Sequence, residues 1–578
     1  MIREKQVIKE DINAKTNKRI GILQFFTNIL FIILIGYLFC VQVLDLSGYK
    51  AKGIAIRTSD VLTLRGNIVD RNGIKLATDE LVFEVYAHPR LYSKKRSPEM
   101  LAELLAPYLG MTKNELYSLL MSKKINVITI KKGVDRPTAE KIRSLNLREI
   151  SVGTLNKRFY PQGHIASHIL GFYSHLSKNS VGIENIANDK LTNVSNTTSV
   201  QRSPNGEMIF DFNTNVKDLT KKQRGEDIQL TLDTSVQYIC EKALAKTIKE
   251  KNAERGSIIV MNPCNGEILA YASYPTFDPN KFWESSQLSM KNWSLTDVYP
   301  PGSTFKIITV ATAMELGKIN EYSKILDTGK MVIDGHKIEN HDYKKRPNPG
   351  MISLVSLFEH SSNVASANIA LMLEPNEYYG KLRDFGFGEK TGIDLTAESI
   401  GILPKPKYWY KSRLASMGYG YGASVTAMQM ISAVSAIANN GVWTTPHVMK
   451  YSDLELPNHV YTKQVVSEQT AKTVTKLLAE SIEREGPPLQ LDKYTVAAKT
   501  GTSRKPSDNG KGFSNTVYTS AVGFFPATNP QVAIYVVVDS PKTGVDWGST
   551  IAAPLFREVA LETAKLLNIK PDKVGAKG

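Results

Sequence analysis

Cysteine is nearly absent. Cys40, Cys240 and Cys264 are the only three in 578 residues, too few and too scattered for a disulfide framework. No Cys/His spacing of the zinc-binding kind occurs. No long block of one charge exists either. The formal net charge is +16, but the lysines are spread, which reads as a scattered basic surface rather than a tract for nucleic acid or an acidic polymer. Long apolar runs are limited to one. From Ile20 to Leu44 the clear polar breaks are Gln24, Thr27, Asn28 and Gln42, and that length crosses a bilayer as a helix. The run is too long for the h-region of a signal peptide and lacks a small-x-small site before Asp45. Six basic residues precede it, from Arg3 to Arg19, which predicts an N-terminus held in the cytoplasm and a large external part. The expected order is a tail at 1–19, an anchor at 20–44 and a single pass.

Beyond the anchor, 45–224 reads as a mixed α+β module. Asn72-Gly73 between Asn67–Asp70 and Ile74–Leu76 predicts a hairpin, and Met100, Leu101, Leu104 and Leu105 predict a helix. The stretch 188–224 is rich in Asn, Ser, Thr and Lys and reads as loops or a linker. The remainder, 225–578, reads as one compact domain. Ile228–Leu232, Ser257–Met261 and Glu267–Tyr271 are strand patterns, the last two about a hairpin at Asn265-Gly266. Ser235–Lys251 has helical spacing. Tyr494–Ala498, Tyr518–Phe525 and Gln531–Asp539 are further strands, and Ala553–Leu567 a final helix. Strands at both ends with helices between predict an α/β domain, an antiparallel sheet flanked by helices.

Within that domain lies Tyr299-Pro300-Pro301-Gly302-Ser303-Thr304-Phe305-Lys306. Prolines and glycine suit a tight turn into a helix. Residues i and i+3 share a helix face, so Ser303 and Lys306 pair a weak nucleophile with a base. Ser47-Gly48-Tyr49-Lys50 repeats the spacing without a helical run behind it. Downstream come Ser361-Ser362-Asn363 and Lys499-Thr500-Gly501-Thr502. Their decoys are Ser177, Ser366 and Ser507 for Ser-x-Asn, and Lys390 and Lys542 for Lys-Thr-Gly. Ser366 shares a helical stretch with Ser361. Ser507 falls after Lys499, Lys390 sits in a turn after Phe385-Gly386-Phe387-Gly388, and Lys542 follows Asp539-Ser540-Pro541 at the end of a strand.

Ser-x-x-Lys, Ser-x-Asn and Lys-Thr-Gly in this order resemble the penicillin-binding protein and serine β-lactamase superfamily. Arg65-Gly66-Asn67-Ile68-Val69-Asp70-Arg71-Asn72-Gly73, Arg158-Phe159-Tyr160-Pro161 with His168, and Gly182-Ile183-Glu184 resemble N-terminal strings of class B penicillin-binding proteins. Gly420-Tyr421-Gly422 resembles their division type, where elongation types usually read Gly-Gln-Gly. Arg65, Asp70, Glu184 and His168 read as structural.

The resemblance implies a peptidoglycan D,D-transpeptidase in the bacterial cytoplasmic membrane, a target of β-lactams. It implies Ser303 as nucleophile on a D-Ala-D-Ala stem peptide and Lys306 as its neutral base. Lys499 would supply charge, Ser361 would relay a proton and Asn363 would hold the substrate backbone. Thr500, Gly501 and Thr502 would bind the carboxylate, with the N–H groups of Ser303 and Thr502 as oxyanion hole. No metal or organic cofactor is required. A membrane glycosyltransferase and other division proteins would be the partners. A β-lactamase would not need so large an anchored module, and no Glu-x-x-Leu-Asn string is present. A bifunctional class A enzyme would need room for a glycosyltransferase domain. A sensor would be expected to lose a catalytic residue.

Overall fold

The computed structural model describes residues 2–42, 64–122, 127–174, 177, 179–192, 201–202, 208–209, 224–507 and 512–573. The chain divides into two compact units, 1–63 with 194–223, and 64–193 with 224–578. In the first, a helix spans Ile2–Gln42. Its segment Thr16–Cys40 is long and apolar enough to cross a membrane, and none of it is buried. A short antiparallel pair joins Gln201–Arg202 to Met208–Ile209. The Ser47–Lys50 decoy and most of the expected linker fall outside the described residues. The start of that linker does not read as a loop: Asn188–Thr192 is helical, and Leu191 is buried.

The second unit opens with the hairpin at Asn72-Gly73. Gly73 takes φ +83°, which glycine adopts without penalty. Asp70 secures the turn, its Oδ1 accepting from the N–H groups of Asn72 and Ile74 at 2.8 Å each. Its Oδ2 accepts from the N–H and hydroxyl of Thr234 at 3.1 and 2.7 Å, at the start of the helix Thr234–Glu250. The long strand Lys75–Ala87 pairs antiparallel with Ile68–Val69, Ile128–Val134 and Ile150–Phe159. Ile68–Val69 pairs in parallel with Ile228–Gln229, a segment the sequence pattern groups with the downstream domain.

Two cores meet along that long strand. Leu76 and Ala77 join the large core that also contains the nucleophile helix. Phe83, Val85 and Ala87 join a separate core with Leu101, Leu105, Leu116 and Ile142. Between them a buried ionic cluster sits where the class B strings converge. Glu184 is fully buried and accepts from Arg65 at 2.9 and 3.2 Å and from Arg158 Nε at 2.5 Å. Arg158 also meets Asp79 at 3.1 Å. Each charge is paired, which burial requires. His168 Nε2 donates to the Ser289 carbonyl, 2.9 Å away, and burial lowers its pKa to about 4, consistent with a structural role.

The central sheet runs in the order Ile268–Tyr274, Arg255–Met261, Val532–Asp539, Phe513–Phe525 and Ala497–Pro506, every pairing antiparallel. Strand side chains alternate faces. Ile534, Val536 and Val538 face a core with the helices Thr234–Glu250 and Ala552–Leu566. Ala533, Tyr535 and Val537 face the core of Ala427–Ala438 and the nucleophile helix. Covered on both sides, the strand reads as a continuous apolar run. One expected strand is displaced: Tyr494–Ala498 is mostly lead-in, and the strand starts at Ala497. Its polar residues belong to an edge strand that lines a cleft, so apolar alternation does not reveal it.

Removing Glu184 leaves two buried arginines facing each other. Glu184→Ala is expected to cost about 3–5 kcal/mol, read as a lower denaturant midpoint without loss of secondary structure below it.

Candidate active site

The turn before the nucleophile is built on close backbone contact. Gly302–Phe305 form a 3₁₀ turn that passes directly into the helix Lys306–Glu315. Gly302 has φ +58° and donates to the Gly420 carbonyl at 3.1 Å. A Cβ on Gly420 would lie 2.2 Å from the Gly302 carbonyl oxygen, so no side chain fits there. Ser503 ties the edge strand to the turn by donating to the Pro300 carbonyl at 2.6 Å. Phe305, Ile307, Ile308 and Val310 are fully buried and anchor the helix.

Lys306 is fully buried. Its Nζ lies 3.0 Å from Ser303 Oγ, 3.0 Å from Ser361 Oγ, 2.5 Å from the Ser361 carbonyl and 2.8 Å from Asn363 Oδ1. Burial pushes its pKa well below the usual lysine range, and the charge of Lys499 pushes the same way. Asp327 and Asp342 act against both. A neutral amine has two N–H groups and one lone pair. The Ser361 carbonyl and Asn363 Oδ1 only accept, so they take the two N–H groups. The lone pair is left for the hydroxyls of Ser303 and Ser361, which is the arrangement a general base needs.

Lys499, Thr500, Gly501 and Thr502 lie on the edge strand Ala497–Pro506. As an edge, it turns alternate N–H and C=O groups away from its single neighbour. Lys499 is buried and its Nζ is 3.3 Å from the Thr500 carbonyl. Burial lowers its pKa, and Glu485 opposes the shift. Thr502 Oγ1 accepts from the Gly548 N–H at 2.9 Å, so its O–H remains available to a ligand. Ser303, Ser361, Asn363, Lys499, Thr500, Gly501 and Thr502 all line one cleft of about 710 Å³, and Lys306 sits at its floor in contact with three of them.

The decoys fall elsewhere or serve the fold. Ser366 is buried and donates to the Ser362 carbonyl at 2.8 Å. Thr391 is tied to Glu398 at 2.7 and 2.5 Å. Lys542-Thr543-Gly544 follows the strand Val532–Asp539, and Gly544 lines the cleft rim. Lys178, Asp508 and Asn509 are outside the described residues.

Several site residues escape sequence reasoning. Asn340 and Asp327 are buried and hold the start of the helix Asn363–Leu371, as described below. Gly548 packs so closely that a Cβ would lie 2.4 Å from the Gly501 carbonyl oxygen. Trp547 and His341 line the cleft with ring centroids 6.1 Å apart. Tyr421 lines it too, and its hydroxyl accepts from the Arg504 N–H at 3.0 Å. Only the Gly-Tyr-Gly string signalled any of these.

Residues 256–561 match the family model for the penicillin-binding protein transpeptidase domain, and 61–230 that for the penicillin-binding protein dimerisation domain. The chain therefore belongs to the penicillin-binding transpeptidases, in the class B arrangement that puts a dimerisation domain first. It is 32% identical over 97% of its length, and 88% of the relative's, to stage V sporulation protein D of Bacillus subtilis. It is 28% identical over 90% of its length, and 86% of the relative's, to the peptidoglycan D,D-transpeptidase FtsI of Escherichia coli. A peptidoglycan synthetase structure from Bifidobacterium adolescentis superposes with a TM-score of 0.65 at 24% identity, covering 89% of this chain and 97% of that one. Penicillin binding protein 3 of Mycobacterium tuberculosis, solved with aztreonam, gives 0.64 at 21%, covering 88% and 98%. These structures share the fold.

Two outcomes test the site. Acylation by a penicillin should rise with pH as Lys306 loses its proton. Removing the positive charge in Lys499→Met relieves the electrostatic depression of the Lys306 pKa, so the rising limb should move to higher pH. Gly420→Ala forces the Gly302 backbone aside and is expected to slow acylation about 100-fold at unchanged secondary structure.

Proposed function

We propose that this chain is a division-type peptidoglycan D,D-transpeptidase that cross-links stem peptides through a Ser303 acyl-enzyme. The observation that carries this is the buried Lys306 amine held 3.0 Å from Ser303 Oγ with its N–H groups taken by acceptor-only oxygens. Ser303 Oγ attacks the carbonyl carbon of the penultimate D-Ala while its proton passes to Lys306 Nζ. The oxyanion lies against the N–H groups of Ser303 and Thr502, typically a large term in acyl transfer. Ser361, 3.0 Å from Lys306 Nζ, relays the proton to the amide nitrogen as the C–N bond breaks and the last D-Ala leaves. An amine of a neighbouring stem peptide then attacks the acyl carbon and yields a proton to Lys306. The new amide forms and Ser303 recovers its hydrogen.

Lys499, Thr500 and Thr502 bind the substrate carboxylate along the edge strand, with Gly501 allowing close approach. Asn363 Nδ2 donates to the Glu339 carbonyl at 3.0 Å and retains one N–H for the substrate backbone. In this reading 1–19 is cytoplasmic, 20–44 spans the bacterial cytoplasmic membrane, 45–224 is a non-catalytic module and 225–578 is the external transpeptidase domain. A membrane glycosyltransferase supplies the glycan, and other division proteins meet the anchor and the module. The likeness to FtsI and the Gly420-Tyr421-Gly422 string support the division role. The 32% identity to a sporulation protein supports a second reading, the same chemistry in a spore wall.

A fluorescent penicillin should label the intact protein, release slowly and fail to label Ser303→Ala. Labelling that survives the substitution refutes the assignment. Depletion should give filaments under the division reading, and normal growth with defective spores under the second.

A further inference from the structure

We infer that Asn340 is a positioning residue for the acylation step. It fixes the backbone at Ser362–Val364 so that Asn363 turns its oxygen, and not its amide nitrogen, toward Lys306. This rests on the reading of Lys306 as the base. The geometry is a chain of forced hydrogen bonds. Asp327 is fully buried at the end of the strand Lys324–Asp327. Its carboxylate accepts from the Gly329 N–H at 2.9 Å and from Asn340 Nδ2 at 2.8 and 2.9 Å. A carboxylate only accepts, so Asn340 must present its NH₂ to Asp327. Its Oδ1 therefore points the other way, to the helix start. There it accepts from the N–H of Asn363 at 2.8 Å, the N–H of Val364 at 3.1 Å and the Ser362 hydroxyl at 3.3 Å.

Those first-turn N–H groups have no partner within their own helix. Ser362 caps the third, accepting from the Ala365 N–H at 3.0 Å. Asn340 thus takes over two of the capping bonds from a residue 23 positions upstream in sequence. The segment it holds begins just after Ser361, at φ +51°, a left-handed conformation unfavourable to a non-glycine residue. Through this strained residue the chain delivers both a carbonyl and a hydroxyl to Lys306.

The neighbouring Glu339 carbonyl completes the device by accepting from Asn363 Nδ2. If the Asn363 amide turned over, its NH₂ would donate to the Lys306 lone pair and remove the base that Ser303 needs. The short strand His336–Glu339 and the residue after it therefore act as a jig for the second motif. Glu339 and Asn340 also line the cleft that holds Ser303, but their hydrogen bonds to the second motif reach Lys306 through Asn363.

The test uses the full-length protein in detergent and a fluorescent penicillin. Asn340→Ala should lower the acylation rate at saturating penicillin about 10- to 100-fold, with little change in the concentration for half-saturation. Asn340→Asp sets a second carboxyl beside Asp327, and two carboxyls so close share a proton. Lys306 is the cation coupled to Asp327, and around Lys306 and the adjacent His341 stand Lys499, Asp342 and His360, with Glu339 next to Asn340 in the chain. The shared proton preserves the geometry at low pH and is lost as pH rises. Asn340→Asp should therefore acylate like wild type at low pH and show a falling limb on raising pH, where wild type rises. Thermal melting followed at each pH separates the site from the fold. An Asn340→Ala rate within twofold of wild type overturns the proposal. So does an Asn340→Asp falling limb that is absent or that follows the melting temperature, and this arm decides the matter if Asn340→Ala does not fold. A wild-type rate that fails to rise with pH, or label on Ser303→Ala, would instead overturn the underlying reading of Ser303 and Lys306.

Discussion

One amine must stay uncharged a short distance from another that must stay charged. Lys306 and Lys499 are both buried, and burial lowers the pKa of each. What separates them is their surroundings. Lys306 is depressed further, because it feels the charge of Lys499 in addition to burial. Lys499 is opposed by Glu485, which favours its charged form. Environments that push two titratable groups apart are the usual sign of an acid–base division of labour. Here the result is a base able to take the Ser303 proton and a cation able to hold a substrate carboxylate. Asp327 and Asp342 pull Lys306 back toward the charged form, so its neutrality reflects a balance. The site cannot gain negative charge on that side without losing the base.

Such a balance demands that the groups stay where they are, and backbone contact rather than side-chain packing keeps them there. Three segments approach at glycines: the turn at Gly302, the loop at Gly420 and the edge strand at Gly501 with Gly548 behind it. At Gly420 and Gly548 an added Cβ would fall 2.2 and 2.4 Å from a backbone oxygen, and at Gly501 it would fall 2.6 Å from Ser520 Oγ. The two contacts to backbone oxygens leave no room for adjustment by rotamer change. The nucleophile is held by a stack of main chains whose spacing is fixed, and side chains such as Ser503 and Thr502 lock the stack with single hydrogen bonds.

Much of this is legible in the sequence. The apolar runs of the central strands and the helical spacing of 235–251 mark the sheet and its cover, because both faces are buried and hydrophobicity leaves a periodic record. The three short motifs mark the reactive groups, because the chemistry leaves few alternatives to Ser, Lys and Asn. What hydrophobic pattern cannot mark is polar structure with a mechanical purpose. The edge strand was misplaced at its start because its cleft-facing residues are polar. The helix at 188–192 is hidden in a composition typical of linkers. Asn340 and Asp327 carry no motif at all: their importance comes from a pairing 13 residues apart and a reach of 23 more, distances at which a lone sequence holds no information about contact.

The same distinction between apolar and polar cohesion organises the N-terminal region. The strand Lys75–Ala87 begins in the core of the nucleophile helix and ends in a core of its own with Leu101, Leu105 and Leu116. Its neighbour Ile150–Phe159 runs beside it, register unbroken from Ile150 opposite Ala87 to Phe159 opposite Thr78. Where one core stops and the other begins, the interior is ionic: Glu184, Arg65, Arg158 and Asp79. An ionic interior is held by directional hydrogen bonds as well as by packing. The two paired strands thus run from the outer core to a junction of paired charges, and close to it Asp70 holds both the hairpin and the first turn of Thr234–Glu250. That helix covers one face of the sheet whose far edge carries Lys499. Polar contacts therefore fix the places where these elements meet, while apolar cores fill the space on either side.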